Sequence, residues 1–349
     1  MNESTNKIRI ALIGCGRISH SHHSAIQDHN DKFEIVAFCD IDPEALKTFA
    51  AGHPNATLYT DFDTCLRESG ADVVALCTPS GLHAPQAIAA AKAGKHVISE
   101  KPMATTWEDG KAMVKACEDA GVKLFVVKQN RANATIQCLR QAIDKGRFGR
   151  IFTIAVNVFW TRPQAYYDSA EWRGTWAMDG GALMNQASHY IDLLHWLFGP
   201  IDKIQATTAT LARDIEVEDT AALNIRWQSG ALGSLTVSML TYPKNYEGSI
   251  TVIGEKGTVK IGGVALNEIQ HWEFAQNAPE DDDIRKANYA TDSVYGYGHS
   301  RYYHNVAEVL LGRGEAETDG YSGLKALELL IAAYTAAKED RTVALPLEL

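Results

Sequence analysis

No stretch of the 349 residues approaches the ~20 consecutive apolar positions of a membrane-spanning helix, so none is expected. Paired cysteines are also missing. Cys15, Cys39, Cys65, Cys77, Cys117 and Cys138 are scattered, mostly within apolar runs, and without a Cys-x-x-Cys pair they read as small buried hydrophobes rather than zinc or redox ligands. Basic charge is short as well: 33 Lys and Arg against 43 Asp and Glu leave a net charge of -10, which disfavours a nucleic-acid binder. Repeats and low-complexity segments are absent. The opening Met-Asn-Glu-Ser-Thr-Asn-Lys is too polar for a secretory signal, so a cytosolic protein is expected.

What remains is ordinary globular material, 46% hydrophobic and 22% charged. It is longer than the ~250 to 300 residues at which single cores stop growing, which points to two domains. The first third alternates short β-branched runs with helical stretches, as in a parallel sheet covered by helices. Strands are expected at Ile8 to Ile13, Glu34 to Cys39, Thr57 to Tyr59, Asp72 to Cys77, His96 to Ser99 and Val122 to Val127. Helices Pro85 to Ala93 and Glu108 to Ala120 end at Gly94 and Gly121, residues suited to closing a helix at positive φ. This doubly wound α/β domain spans 1-128.

From 129 to 349 the texture changes to longer alternating strands, Ile151 to Trp160, Ala221 to Trp227, Leu232 to Leu240 and Ser249 to Ile253, which suit an antiparallel sheet. Gly254-Glu255-Lys256-Gly257 makes a turn. Helices are expected at Ala182 to Phe198, Arg301 to Leu311 and Leu324 to Lys338, giving an α+β second domain. The polar stretch Ala275 to Ser300 is either a mobile loop or an acidic surface arm.

Directly after the first strand, Gly14-Cys15-Gly16-Arg17-Ile18-Ser19 leads into a helix. In a dinucleotide fingerprint the first glycine makes the tight turn, and the second lets backbone approach a pyrophosphate at the helix N-terminus. Ser19 holds the third position, where glycine or alanine is usual. Asp40 ends the second strand, placed to accept hydrogen bonds from ribose hydroxyls and to repel the extra phosphate of NADP, so NAD is the expected cofactor. Thr78, Pro79, Leu82 and His83 follow the next major strand on the same ligand-binding edge, and Glu100-Lys101-Pro102 ends the one after. A lysine beside a positively charged nicotinamide would have its ammonium form disfavoured and so could exchange protons near neutrality. His20, His22 and His23, lacking a carboxylate or cysteine partner at ligand spacing, read as solvent-exposed, and no metal is expected.

Farther on, Gly180-Gly181 precedes a helix on which Asn185, His189 and Asp192 share one face at 3.6 residues per turn. This polar stripe is either a hydrogen-bond network or a catalytic site, and His195, off the stripe, reads as structural. Candidate anion-binding cations outside the nucleotide domain are Arg131, Arg162, Arg173, Lys244 and Arg301, with Arg131 and Arg301 preferred.

The fingerprint, Glu100-Lys101-Pro102 and the Gly-Gly…His189…Asp192 helix together resemble the glucose-fructose oxidoreductase and inositol dehydrogenase family, Gfo/Idh/MocA, over both domains. The resemblance implies an N-terminal Rossmann domain and a C-terminal α+β domain built on a large, mainly antiparallel sheet. It also implies that Lys101 and His189 surround the substrate carbon facing the nicotinamide. The family's aspartate is Asn185 here, so Asn185 is expected to orient a hydroxyl or His189 rather than act as a base. Trp172 and Arg173 are implied near the nicotinamide or sugar, with Tyr166 beside them on the same loop, although interdomain packing explains Trp172 equally well.

Met184-Asn185-Gln186-Ala187-Ser188-His189, Lys128-Gln129-Asn130-Arg131 and Trp160-Thr161-Arg162-Pro163-Gln164 look like one subgroup, the UDP-N-acetyl-2-amino-2-deoxyglucuronate 3-dehydrogenases of bacterial O-antigen (lipopolysaccharide) biosynthesis. By that resemblance the protein is a cytoplasmic NAD enzyme that oxidises UDP-N-acetylglucosaminuronic acid at its 3-hydroxyl. A homotetramer or homodimer is implied too. The resemblance leaves open whether NADH is released or reoxidised in place by 2-oxoglutarate. Two other readings stand beside it: a dehydrogenase of a free sugar or inositol, and a non-catalytic NAD or sugar sensor.

Overall fold

The computed structural model describes residues 7–50, 52–291 and 294–347. The expected β-branched runs form a six-stranded parallel sheet in the order β3-β2-β1-β4-β5-β6. The elements run β1 (Ile8–Ile13), α1 (Ser19–Asp28), β2 (Phe33–Cys39), α2 (Pro43–Ala50), β3 (Thr57–Tyr59), α3 (Phe62–Glu68), β4 (Val73–Leu76), α4 (Ser80–Lys92), β5 (His96–Ser99), α5 (Trp107–Asp119) and β6 (Leu124–Val126). Strand order reverses between β1 and β4, so their carboxyl ends open the crevice where such sheets take ligands. Ile10, Leu12, Val73 and Ile98 are buried, as expected of strands covered on two faces.

The second sheet has eight strands in the order β13-β12-β11-β7-β10-β9-β8-β14. Its elements are α6 (Ala134–Asp144), β7 (Ile151–Phe159), α7 (Gln164–Tyr167), a π-helical turn (Ala182–Gln186), α8 (Ser188–Phe198), β8 (Ile201–Ala209), β9 (Thr220–Trp227), β10 (Leu232–Ser238), β11 (Glu247–Gly254), β12 (Gly257–Gly262) and β13 (Glu268–Phe274). After α9 (Gly298–Leu310) and α10 (Gly320–Glu339), β14 (Val343–Ala344) closes its edge. All its pairings are antiparallel except β7 with β10. The 254–257 turn joins β11 to β12 as expected.

One expectation is corrected. The second domain is expected as a continuous 129–349 block, but residues 299–324 belong to the first compact unit, with 1–128. The cause is α9, whose Tyr303, Val306 and Ala307 complete the hydrophobic core of the first unit beside Phe33 and Phe125. The acidic stretch after β13 is a docked surface arm within the second unit. Arg147 forms a forked pair with Asp281, whose Oδ1 also accepts the Trp272 indole N–H at 2.7 Å, and Lys145 pairs with Glu280. Residues 292–293 of that stretch lie outside the described residues.

Candidate functional site

In the first unit the fingerprint has the geometry its sequence predicts. Gly14 takes φ +88°, and a Cβ there would sit 2.8 Å from the Cys77 carbonyl, so only glycine fits. Gly16 is different: it is exposed, and a Cβ would meet nothing within 4 Å. The protein itself does not need glycine at 16, whereas close approach of a pyrophosphate to the backbone does. No side chain caps the start of α1, so its first N–H groups face that loop beside Arg17 and Ile18. Ser19 is fully buried and bonds the Gly16 carbonyl through its hydroxyl, making the close helix packing the third position requires. Asp40 braces the loop, accepting the Cys15 N–H at 2.6 Å and the Asp42 N–H at 2.9 Å. The glycine cradle and the placed carboxylate therefore fit a dinucleotide.

On the same edge, Pro79 precedes α4 and Leu82 is half-buried in its first turn, while the Thr78 hydroxyl donates to Gln86 at 2.6 Å. Two residues expected at the cofactor have internal partners. His83 is buried with its ring nitrogens 2.8 Å from the carbonyls of Pro102 and Thr78, so it ties two strand-end loops together rather than presenting a polar atom outward. The Glu100 carboxylate likewise points inward, 2.9 Å from His22 Nε2, and accepts the Lys101 N–H at 3.0 Å. Lys101 is half-buried at the end of β5.

The reading of the α1 histidines as exposed is corrected in the same place. His20 is exposed, but His22 is fully buried, and its partners are Glu100, just after β5, and Tyr303 on α9, far along the chain. His22, Glu100 and His299 lie with ligand-type atoms within 4.8 Å of one another, yet a direct hydrogen bond already joins His22 to Glu100 without an ion.

In the second unit the expected continuous helix is broken. Residues 182–186 form a π-helical turn, α8 starts at Ser188, and Ala187 N–H bonds back to the Ala182 carbonyl at 2.9 Å. The spacing from Asn185 to His189 and Asp192 is therefore not that of one regular α-helix. The cause lies beneath the turn: buried Glu218 accepts the Leu183 N–H at 2.8 Å and the Tyr334 hydroxyl at 2.9 Å, and Tyr334 in turn accepts the Met184 N–H at 3.1 Å. Burial pushes Glu218 up to about 7.

Each of the three polar side chains has a described partner. Asn185 donates its amide to the buried carboxylate of Asp179, which also accepts the Gly174 N–H at 2.8 Å. His189 Nε2 meets the Gln129 carboxamide at 3.0 Å. Asp192 receives a forked pair from Arg131, at 2.7 and 2.6 Å. Arg131, preferred as an anion clamp, is thus engaged by an internal carboxylate and packs on Trp196. Arg301 is half-exposed, 3.9 Å from Glu317, and belongs to the first unit, not outside the nucleotide domain as expected. Arg173 lies over both Trp172 and Tyr166, each centroid 4.4 Å away, and donates to the Tyr166 hydroxyl at 2.7 Å. Gln186 also reaches that hydroxyl, at 3.3 Å. Gln129, Asp179 and Gln186 were not singled out from sequence. Gln129 and Gln186 stand inside the quoted runs, and Asp179 immediately precedes the double glycine.

Residues 8–128 match the description "Oxidoreductase family, NAD-binding Rossmann fold", and residues 140–345 match "Oxidoreductase family, C-terminal alpha/beta domain" of the same family. The chain belongs to the Gfo/Idh/MocA oxidoreductase family. Its similarity to solved members covers nearly the whole length. The WlbA dehydrogenase from Bordetella pertussis, crystallised with NADH and UDP-GlcNAcA, is 58% identical over 98% of this chain and 99% of that one, with TM-score 0.95. The WlbA dehydrogenase from Chromobacterium violaceum, with the same two ligands, is 56% identical over 99% and 98%, with TM-score 0.94. Among curated Gfo/Idh/MocA proteins, D-apiose dehydrogenase of Paraburkholderia graminis is 29% identical over 98% of this chain and 91% of its own. As a family member the protein is an oxidoreductase whose N-terminal unit binds NAD.

Proposed function

We propose that this protein uses NAD to oxidise the 3-hydroxyl of UDP-N-acetylglucosaminuronic acid to the 3-keto sugar nucleotide. The observation that carries the reading is the near full-length likeness, at 58% and 56% identity, to two dehydrogenases crystallised with NADH and that sugar nucleotide. Bound NAD supplies the hydride acceptor. On this reading His189 takes the hydroxyl proton. Gln129 orients its ring, and a carboxamide can present an oxygen or an NH2 group, so one residue serves both imidazole and imidazolium. Lys101 stabilises the developing alkoxide by charge. Asn185, held by its amide N–H on Asp179, orients the hydroxyl or His189. Asp40 takes the adenosine ribose. Tyr166, Trp172 and Arg173 line the sugar and nicotinamide, and Arg131 and Arg301 remain the proposed anion contacts.

The same reading places the reaction in O-antigen sugar biosynthesis in the cytoplasm. It also makes the enzyme a homotetramer or homodimer, a view supported by exposed Phe152, Leu232 and Ile253 on the neighbouring strands β7, β10 and β11. Competition separates the sugar-nucleotide reading from a free-sugar one. UDP is expected to inhibit competitively against the sugar nucleotide, and myo-inositol and free N-acetylglucosaminuronic acid are expected to support no turnover. Turnover of either free compound, insensitive to UDP, overturns the proposal.

A further inference from the structure

Behind the Glu100-Lys101 turn the first unit buries a set of groups to which the reaction above gives no part. Glu100 is 4% exposed. Its Oε1 lies 2.9 Å from Nε2 of His22 on α1, and its Oε2 accepts the backbone N–H of Lys101 at 3.0 Å. His22 is itself fully buried, with Nδ1 2.7 Å from the Tyr303 hydroxyl on α9. When Tyr303 donates to Nδ1, Nε2–H donates to Glu100, and every hydrogen in the chain points toward the carboxylate. His299, also on α9, sets its Nε2 3.8 Å from the same Oε1.

A carboxylate taken out of water costs several kcal/mol unless it is paired. Burial pushes Glu100 up, but the hydrogen bond from His22 and the charge of Lys101 outweigh it and hold Glu100 well below the usual carboxylate range. Burial acts on the other titratable groups around it as well. Burial pushes the Cys77 thiol and the Tyr302 and Tyr303 hydroxyls up, and pushes His83 and His299 toward the neutral imidazole. The anion of Glu100 therefore acts on His22 and on Lys101.

We infer that His22 and Glu100 are positioning residues for Lys101: they fix the strand-end backbone from which the lysine projects and set a buried negative charge on the residue before it. The carboxylate sustains the lysine as a cation while NAD is bound, so that it can stabilise an alkoxide. This rests on the role given to Lys101 above.

The test is the pH profile of kcat and KM for the full-length enzyme with NAD and UDP-N-acetylglucosaminuronic acid, comparing wild type with Glu100→Gln, His22→Leu, His22→Gln and Lys101→Ala. Glu100→Gln and His22→Leu are expected to lower kcat about tenfold or more and to move its alkaline limb down by about half a pH unit or more, because the ammonium loses its counter-charge. KM for the sugar is expected to change less than about threefold. His22→Gln, whose amide can still donate to Glu100, is expected to recover most of the rate. Lys101→Ala at wild-type turnover overturns the role of Lys101 itself. An inactive Lys101→Ala beside Glu100→Gln and His22→Leu enzymes of wild-type rate and profile overturns only the positioning role. So does a fall in kcat with an unmoved alkaline limb, or a stoichiometric metal in the purified enzyme that His22→Leu abolishes. If His22→Leu does not fold, the isosteric Glu100→Gln decides.

Discussion

Replacing Gly181 with alanine isolates the support beneath the π-helical turn. Gly181 has φ -90° and ψ -164°, a conformation any residue adopts, so alanine meets no backbone penalty. The obstacle is steric: the added Cβ would lie 1.7 Å from Glu218 Oε2 and 2.1 Å from its Cδ. The carboxyl must move, and Leu183 N–H and the Tyr334 hydroxyl then lose the acceptor they now have at 2.8 and 2.9 Å. At about 1–3 kcal/mol for each buried group left unsatisfied, the expected loss of stability is about 3 kcal/mol or more. The turn that carries Asn185 shifts with it, and a displacement of about 1 Å at a reacting group costs up to about 100-fold in rate. Urea unfolding followed by circular dichroism measures the first effect, and initial-rate kinetics the second. In a Glu218→Ala background the clash is gone, and Gly181→Ala is expected to cost less than about 1 kcal/mol more. A Gly181→Ala protein within about 0.5 kcal/mol of wild type at full kcat would refute the reasoning, as would an undiminished cost in the Glu218→Ala background.

Three further outcomes are expected. Glu218, pushed up by burial from 4.5 to about 7, contributes stability that is fully present below about pH 4.5 and is lost as pH rises through about 7. Glu218→Gln should flatten that slope, worth at most about 3 kcal/mol, in urea midpoints compared at about pH 5 and about pH 8. Asp192→Asn removes the carboxylate charge paired with the Arg131 guanidinium, whose side chain is only 12% exposed, and is expected to cost about 3–5 kcal/mol in denaturant unfolding; a loss below about 1 kcal/mol would show that the pair contributes little. Asp40→Ser removes the carboxylate that repels a 2′-phosphate, so the ratio of kcat/KM for NAD over NADP is expected to fall at least about tenfold; an unchanged ratio would remove Asp40 from cofactor choice.

The first unit was legible because its signals are local. Continuous β-branched runs ending at the glycine fingerprint, Asp40 and Glu100-Lys101 set both the strands and the edge on which they end. What could not be read there came from far along the chain: Tyr303, which bonds His22, is 281 residues away, so the spacing of α1 alone left that histidine on the surface. The second sheet was only partly legible. β8, Ile-Asp-Lys-Ile-Gln-Ala-Thr-Thr-Ala, alternates too weakly to announce itself and is held by pairing with β9 and β14. Motif singled out Lys101, Asn185 and His189, but the regular helical spacing drawn from Asn185 to His189 is interrupted by a π turn. That turn is held by Glu218 and Tyr334, which lie outside the motif.

The central claim is tested most directly by mixing the purified protein with NAD and UDP-N-acetylglucosaminuronic acid, with and without 2-oxoglutarate, while following the near-ultraviolet absorbance of NADH and the mass of the sugar nucleotide. The account predicts a product two hydrogens lighter than the substrate. NADH accumulates alongside it if the cofactor is released, or the product requires 2-oxoglutarate if the cofactor is reoxidised in place. An unchanged sugar nucleotide and no NADH in either mixture would contradict it.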